Sequence, residues 1–419
     1  MSRPLVPAAL AAGAALPLLL GCSPQPASDA SRQERAASTV SGGPDDHGEV
    51  AGAVELAEPP VGLTTVDAAG AVRHLDLLDE SVTEVARVAR PSAVHTDGRF
   101  VLTQTSDGVA VVDSGVWTWD HVDHFHYYRA EAREVGLVEG DGPATVATTT
   151  SSTSGGTGLF FVSSGEGVLL DTAALAGGEI VERYRVQREP HAGLLVPVDR
   201  FALLTEADAA GRTTRVVVLD EDGEPLEGQE HRCLDAAGTI TTRVGAVVGC
   251  ADGALLVTVE DDRPRVERIP YPAGAEAPHA TSFAGRDGRP TVAALADERR
   301  IWLLDTRARS WSLLESPVPL VAVAAVDDDD EHVLGLSTGG RLVVLDGASG
   351  ELLSSSVPLV ARSLRDDVGT PTLVVDQQRA YVSAPAERRL HEIDFADGAR
   401  VARTFETETE PLFLAGTGR

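Results

Sequence analysis

The sequence predicts an all-β chain folded as a single β-propeller of eight blades, with seven as the alternative, behind a signal peptide and a flexible tail. Three observations carry that expectation. Past residue 60 the chain consists of short β-branched runs separated by Gly, Asp and Pro, with hardly any stretch of helical period. An apolar run ending in Asp, a polar turn and a second run recurs eight times, at Asp67, Asp113, Asp171, Asp220, Asp262, Asp305, Asp346 and Asp394. The markers stand 41 to 58 residues apart, the interval of blades built from several short strands, because one such sheet cannot bury both faces until neighbours stack against it.

The amino terminus is of a different kind. Arg3, an apolar run from Leu5 to Leu20 and the sequence Leu19-Leu20-Gly21-Cys22 have the layout of a secretory signal closed by a lipoprotein box. Residues 1–21 are thus expected to be cleaved, leaving Cys22 lipidated on the extracytoplasmic face of the cell membrane. From Ser23 to about Asp46 there is almost no large apolar side chain, so the segment cannot offset its ordering entropy by burial. Residues 22–59 are assigned to a tether and 60–419 to the propeller.

Composition narrows the partners. The formal charge is −29, and all 35 basic residues are arginine. Such a surface disfavours nucleic acid and suits cations. With Cys22 given to lipid, Cys233 and Cys250 are left to each other in an oxidising compartment, which favours a disulfide; two thiolate ligands for a metal are the alternative.

Repeat position gives the histidines a meaning. If each marker joins the two outer strands of a blade, the next segment crosses to the innermost strand of the following blade, and all crossings share one end of the propeller. His95, His191, His231 and His279, together with the cluster His121, His124 and His126, are expected in such crossings. The cluster, Trp119 to Arg129, places three imidazoles and two carboxylates within seven residues. His124 and His126 project from the same side of an extended chain, and His121 folds in from the preceding turn. Three imidazoles and one further ligand suit tetrahedral Zn²⁺, with bonds of about 2.0–2.2 Å, although imidazole also accepts copper and nickel. His191, which opens the next crossing, is the expected fourth ligand. Asp123 is expected either to ligate or to accept the ring N–H of a ligating histidine.

No catalytic set is recognised: there is no HExxH or phosphate loop, and no spare cysteine nucleophile. The chain is expected not to be an enzyme. A metal-dependent propeller hydrolase and a protein-interaction propeller with incidental histidines are the alternatives.

Three stretches carry a resemblance to a known family. They are HGEVAGAVELAEP from His47, VDSGVWTWDHVDHFHYYRAEAREVG from Val112, and EPHAGLLVPVDRFALL from Glu189. The cysteine block from His231 to Val257 adds its paired cysteines and GCADG ending. In these the chain resembles the extracytoplasmic zinc metallochaperones of the AztD type. The resemblance implies a monomeric propeller that holds Zn²⁺ and passes it to the solute-binding protein of a zinc ABC importer, with His47 and Glu49 of the tail as a mobile second site. Two departures weaken any second site. Leu234 to Gly238 replaces a histidine-containing turn after Cys233, and the tail keeps a single histidine.

Overall fold

A computed structural model describes residues 48–120, 124–366 and 368–418. Residues 1–47, which include the expected signal segment, Cys22 and most of the expected tether, and also His121 and Asp123 lie outside the described residues. The described residues form one compact unit. Among the described residues its regular structure is almost all strand, with two six-residue helices, Thr172–Gly177 and Ala361–Asp366. Among the described residues no helix is long and apolar enough to cross a membrane.

Among the described residues, eight antiparallel sheets follow one another. The first takes residues 62–87 and the C-terminal strand Phe413–Thr417; the second takes 93–113 and Arg133–Glu139. The others span 144–187, 195–232, 239–270, 291–315, 320–355 and 373–406. Seven have four strands, and the sheet at 291–315 has three with an added bridge from Ala284 to Ala293.

Apolar side chains from adjacent sheets bury each other, which is why single sheets of alternating pattern are stable here. Val196, Leu203, Val216 and Val218 of one sheet pack on Ala246, Val248, Leu255 and Val257 of the next. Tyr381, Leu390 and Phe405 of the last sheet pack on Leu63, Leu75 and Leu414 of the first. Each fully buried side chain of this size contributes roughly 1.5–3 kcal/mol. Eight such clusters link each sheet to its neighbour and the last sheet to the first. Pairing of Phe413–Thr417 with Gly62–Val66 joins the two ends of the succession by backbone hydrogen bonds. First strands of six sheets, with the segment 283–289, line a cavity of about 310 Å³, among them His95, Thr148, Thr241, Arg286, Val375 and Ala415.

The recurrent aspartates other than Asp262, which takes a positive φ of 60° in a tight turn with Asp261, have a common local cause. Each carboxylate can accept backbone N–H groups one turn ahead and so close a reversal. Asp220 accepts from Asp222 and Glu224, Asp305 from Arg307 and Ala308, and Asp346 from Ala348 and Ser349. Asp171 instead caps the helix Thr172–Gly177 by accepting from Ala174. Seven of the eight markers stand at the passage from the third strand of a sheet to its outer strand, as expected. Asp67 does not. It closes the turn between Gly62–Val66 and Ala71–Asp76, which are the inner pair of the first sheet, and the equivalent marker there is Asp76, accepting from Leu78. Both aspartates follow an apolar run, so the pattern alone does not tell them apart.

Cys233 and Cys250 form a disulfide, both fully buried. It ties the end of the outer strand Pro225–Arg232 to the strand Ala246–Cys250 of the following sheet, a crossing fixed covalently.

The second sheet carries an addition. Between its third strand, Gly108–Asp113, and its outer strand, Arg133–Glu139, the chain makes a hairpin of Val116–Asp120 and Phe125–Arg129. Val54–Leu56 pairs with Phe125–Arg129 to give this hairpin a third strand. The sequence assigns Val54–Leu56 to the flexible tether; the free edge offered by the hairpin is what draws it into a sheet.

Candidate metal centre

His124 and His126 of the histidine cluster lie on this added hairpin. Pairing puts Trp117 opposite Tyr128 and Trp119 opposite His126, and with the side-chain period of two these four residues occupy one face. Glu55, opposite Tyr128, is on that face too. Trp117 is fully buried and Tyr128 nearly so, which seats the face on the rest of the molecule. His126 is half-buried beside Trp119, with ring centroids 5.8 Å apart, and His124 is exposed at the hairpin end.

The two imidazoles converge. Nε2 of His124 is 2.9 Å from Nε2 of His126, and Nδ1 of His126 is 2.7 Å from Oε1 of Glu55. A carboxylate only accepts, so Nδ1–H of His126 donates to Glu55 and Nε2 of a neutral ring carries the lone pair. His124 Nε2–H then donates to it. This donor set fits a divalent metal: an ion between the rings would take the place of that proton. Two nitrogens bound to tetrahedral Zn²⁺ stand about 3.3 Å apart, so the rings need to open by only a few tenths of an ångström. Among the described residues no group of three or more histidine, cysteine or acidic side chains is placed to hold a metal. His121 and Asp123 lie outside those residues, as does His47, whose successor Gly48 packs against Trp119 and accepts a hydrogen bond from Trp117 Nε1 at 3.0 Å. Glu49 follows, exposed.

His191 is not brought to this pair, which corrects its expected place as fourth ligand. In four consecutive antiparallel strands, the turn from third to fourth and the crossing to the next sheet lie at opposite ends. The hairpin occupies the former and His191, ahead of Leu195–Val198, the latter. Its ring is also engaged. Nδ1–H donates to the Glu189 carbonyl at 2.7 Å, Nε2 accepts from the Thr205 hydroxyl at 2.9 Å, and Phe160 packs edge-on at 4.7 Å. The same topology moves His124 and His126 out of the crossings, and His231 lies in the outer strand Pro225–Arg232. His95 stands in an innermost strand, Ala93–Thr96, where burial lowers its pKa.

Glu55 escapes sequence reading because its approach depends on strand pairing across some seventy residues. The available signal is the alternation in Val54–Leu56, too short to register as a strand.

The comparisons bear on the fold. No family model matches the sequence, and no curated protein matches it. Among solved structures, AztD from Citrobacter koseri superposes with a TM-score of 0.74 at 20% identity, covering 86% of this chain and 98% of that one. The chain has an AztD-type fold. Apo AztD from Citrobacter koseri gives the same TM-score at 19% identity. A dihydro-heme d1 dehydrogenase, NirN, in complex with DHE, reaches 0.54 at 16% identity, over 87% of this chain and 76% of that one.

Proposed function

We propose that this chain is an extracytoplasmic zinc metallochaperone, an eight-bladed propeller that holds Zn²⁺ and transfers it to the solute-binding protein of a zinc ABC importer. The observation that carries the proposal is the convergence of His124 and His126 at 2.9 Å, with Glu55 hydrogen-bonded behind His126. The AztD-type fold and the resemblance in the histidine-rich block support the same reading. His121 supplies the third imidazole, and Asp123, His47 and Glu49 are the candidates for the remaining position. Eight sheets and eight apolar clusters support eight blades.

Transfer proceeds by ligand exchange. A site on an exposed hairpin lets an incoming ligand reach the ion while His124 still holds it, so the ion is never released to water. Cys22 anchors the chain as a monomer near the importer, and the acidic surface concentrates cations beside it. No reaction is catalysed.

Elemental analysis by mass spectrometry of the mature, untagged chain tests this. Zinc near one equivalent is expected, lost in a variant with alanine at His121, His124 and His126. Absence of zinc from the wild-type chain under chelator competition overturns the proposal.

A further inference from the structure

We infer that the segment 48–56 is a clasp whose Glu55 positions His126, so that docking of this segment and metal occupancy are coupled. The inference rests on the metal-binding reading above. Its basis is that the same segment touches the hairpin at two places on its histidine-bearing face. At one end, Gly48 is buried against Trp119 and accepts from Trp117 Nε1. At the other, Val54–Leu56 adds a strand to Phe125–Arg129, and Glu55 Oε1 accepts from His126 Nδ1 at 2.7 Å. Between them lie Ala51 and Gly52, exposed, with open space around Gly52.

The chemistry gives the contact its consequence. A carboxylate accepting the far N–H of an imidazole fixes the tautomer, aims the near lone pair and makes that nitrogen a better donor to a metal. Loss of such a partner typically weakens metal affinity 10–100-fold. Val54–Leu56 is only three residues long, largely exposed, and forms the edge of its sheet. Such a strand opens at low cost compared with the core sheets. When it leaves, Glu55 goes with it, and His126 loses the carboxylate that fixes its tautomer and becomes a weaker ligand. By linkage, a metal that favours the docked strand is held less tightly by the undocked state. An acceptor that displaces or captures the strand therefore loosens the ion at the moment of transfer. Glu55 is a positioning residue here, not a ligand.

The experiment uses the mature chain with Zn²⁺ and Co²⁺ as probes. Chelator competition gives zinc affinity for the wild type, Glu55→Gln and Glu55→Ala, and amide exchange of residues 53–57 is followed with and without zinc. The clasp predicts a 10–100-fold loss in Glu55→Ala, partial rescue in Glu55→Gln, and slower exchange on adding zinc to the wild type. It also predicts a Co²⁺ absorption spectrum of unchanged shape in all three, since the ligand set is the same. Zinc bound as tightly by Glu55→Ala as by the wild type, or exchange indifferent to zinc, overturns the clasp while leaving the metal site standing. A changed Co²⁺ spectrum in Glu55→Ala overturns the positioning role, because Glu55 is then a ligand. A wild-type chain that binds no zinc overturns both readings together.

Discussion

The guanidinium carbon of Arg99 lies 3.7 Å from the ring centroid of Trp117, and this contact joins the ring of sheets to the histidine hairpin. Arg99 is fully buried and pairs with Asp113, also buried, through Nε at 2.9 Å and Nη2 at 2.7 Å. Its Nη1 has no hydrogen-bond partner; the π-face of Trp117 offers partial electrostatic compensation. Asp113 is the marker that ends the third strand and also accepts from Gly115 N at 2.9 Å, so the charge pair sits where the hairpin departs.

Removing one partner of a buried pair strands the other charge. Asp113→Ala is expected to destabilise the fold by about 3–5 kcal/mol, whereas an Arg99→Met, Asp113→Leu double variant, which leaves no orphan charge, is expected to lose much less. Thermal denaturation of the three chains checks this. A double variant worse than the single one would mean that the cation–π contact, not the ion pair, holds the hairpin.

Asp97 gives the fold a pH dependence of unusual sign. Burial pushes its pKa up to about 6, against opposing hydrogen bonds from Arg99 N and Phe100 N. Its other oxygen, Oδ2, is buried without a partner. A carboxyl whose folded pKa exceeds its unfolded value binds the proton more tightly when folded. That contribution is complete below about pH 4 and is lost as pH rises through about 6. Asp97→Asn keeps an acceptor for the two N–H groups without the charge, so it should stabilise by about 1–2 kcal/mol at pH 7–8 and by little at pH 4. His74 and His95, whose pKa values burial lowers, act oppositely and lose stability as pH falls; they are common to both chains and cancel in the difference. Melting temperatures of both chains between pH 4 and 8 decide the matter, and a constant offset would show that Asp97 does not titrate in this range.

The Cys233–Cys250 bond closes a loop with a sequence separation of 17, for which chain-entropy arguments give about 2–4 kcal/mol. Reductant should lower the melting temperature of the wild type and leave a Cys233→Ser, Cys250→Ser chain, already lower, unmoved. Equal sensitivity in the two chains would place the effect of reductant elsewhere.

What the sequence discloses follows from how local each signal is. Alternating runs and Asx-type turns are written within ten residues, so the strands and seven of the eight outer turns are legible. Asp67 misleads because an inner turn uses the same chemistry as an outer one. His124 and His126 are legible as a pair because they sit two apart on one strand. His191 does lie in a crossing; what separates it from the pair is that His124 and His126 sit on an inserted hairpin at the other end of the sheets, and that end depends on counting strands through the insertion. Glu55 and Gly48 meet the hairpin only after folding, and neither carries a local pattern.

Gly48 is where the clasp can be probed without replacing any candidate ligand. Its φ is +72°, and a Cβ there would stand 2.5 Å from Cδ1 and Cγ of Trp119, too close for a side chain to exist without moving the indole. Gly52 also has a positive φ, +87°, but its Cβ would meet open space. Both alanine substitutions incur the left-handed backbone cost of about 1 kcal/mol; only Gly48→Ala adds a clash with the face that carries His126. If docking of this segment supports the metal centre, Gly48→Ala should speed amide exchange at residues 53–57 and raise the zinc dissociation rate several-fold more than Gly52→Ala does. Stopped-flow release of zinc to a chromophoric chelator measures the rates. Equal rates in the two variants would mean that the contact of Gly48 with Trp119 seats the chain but does not reach the histidines.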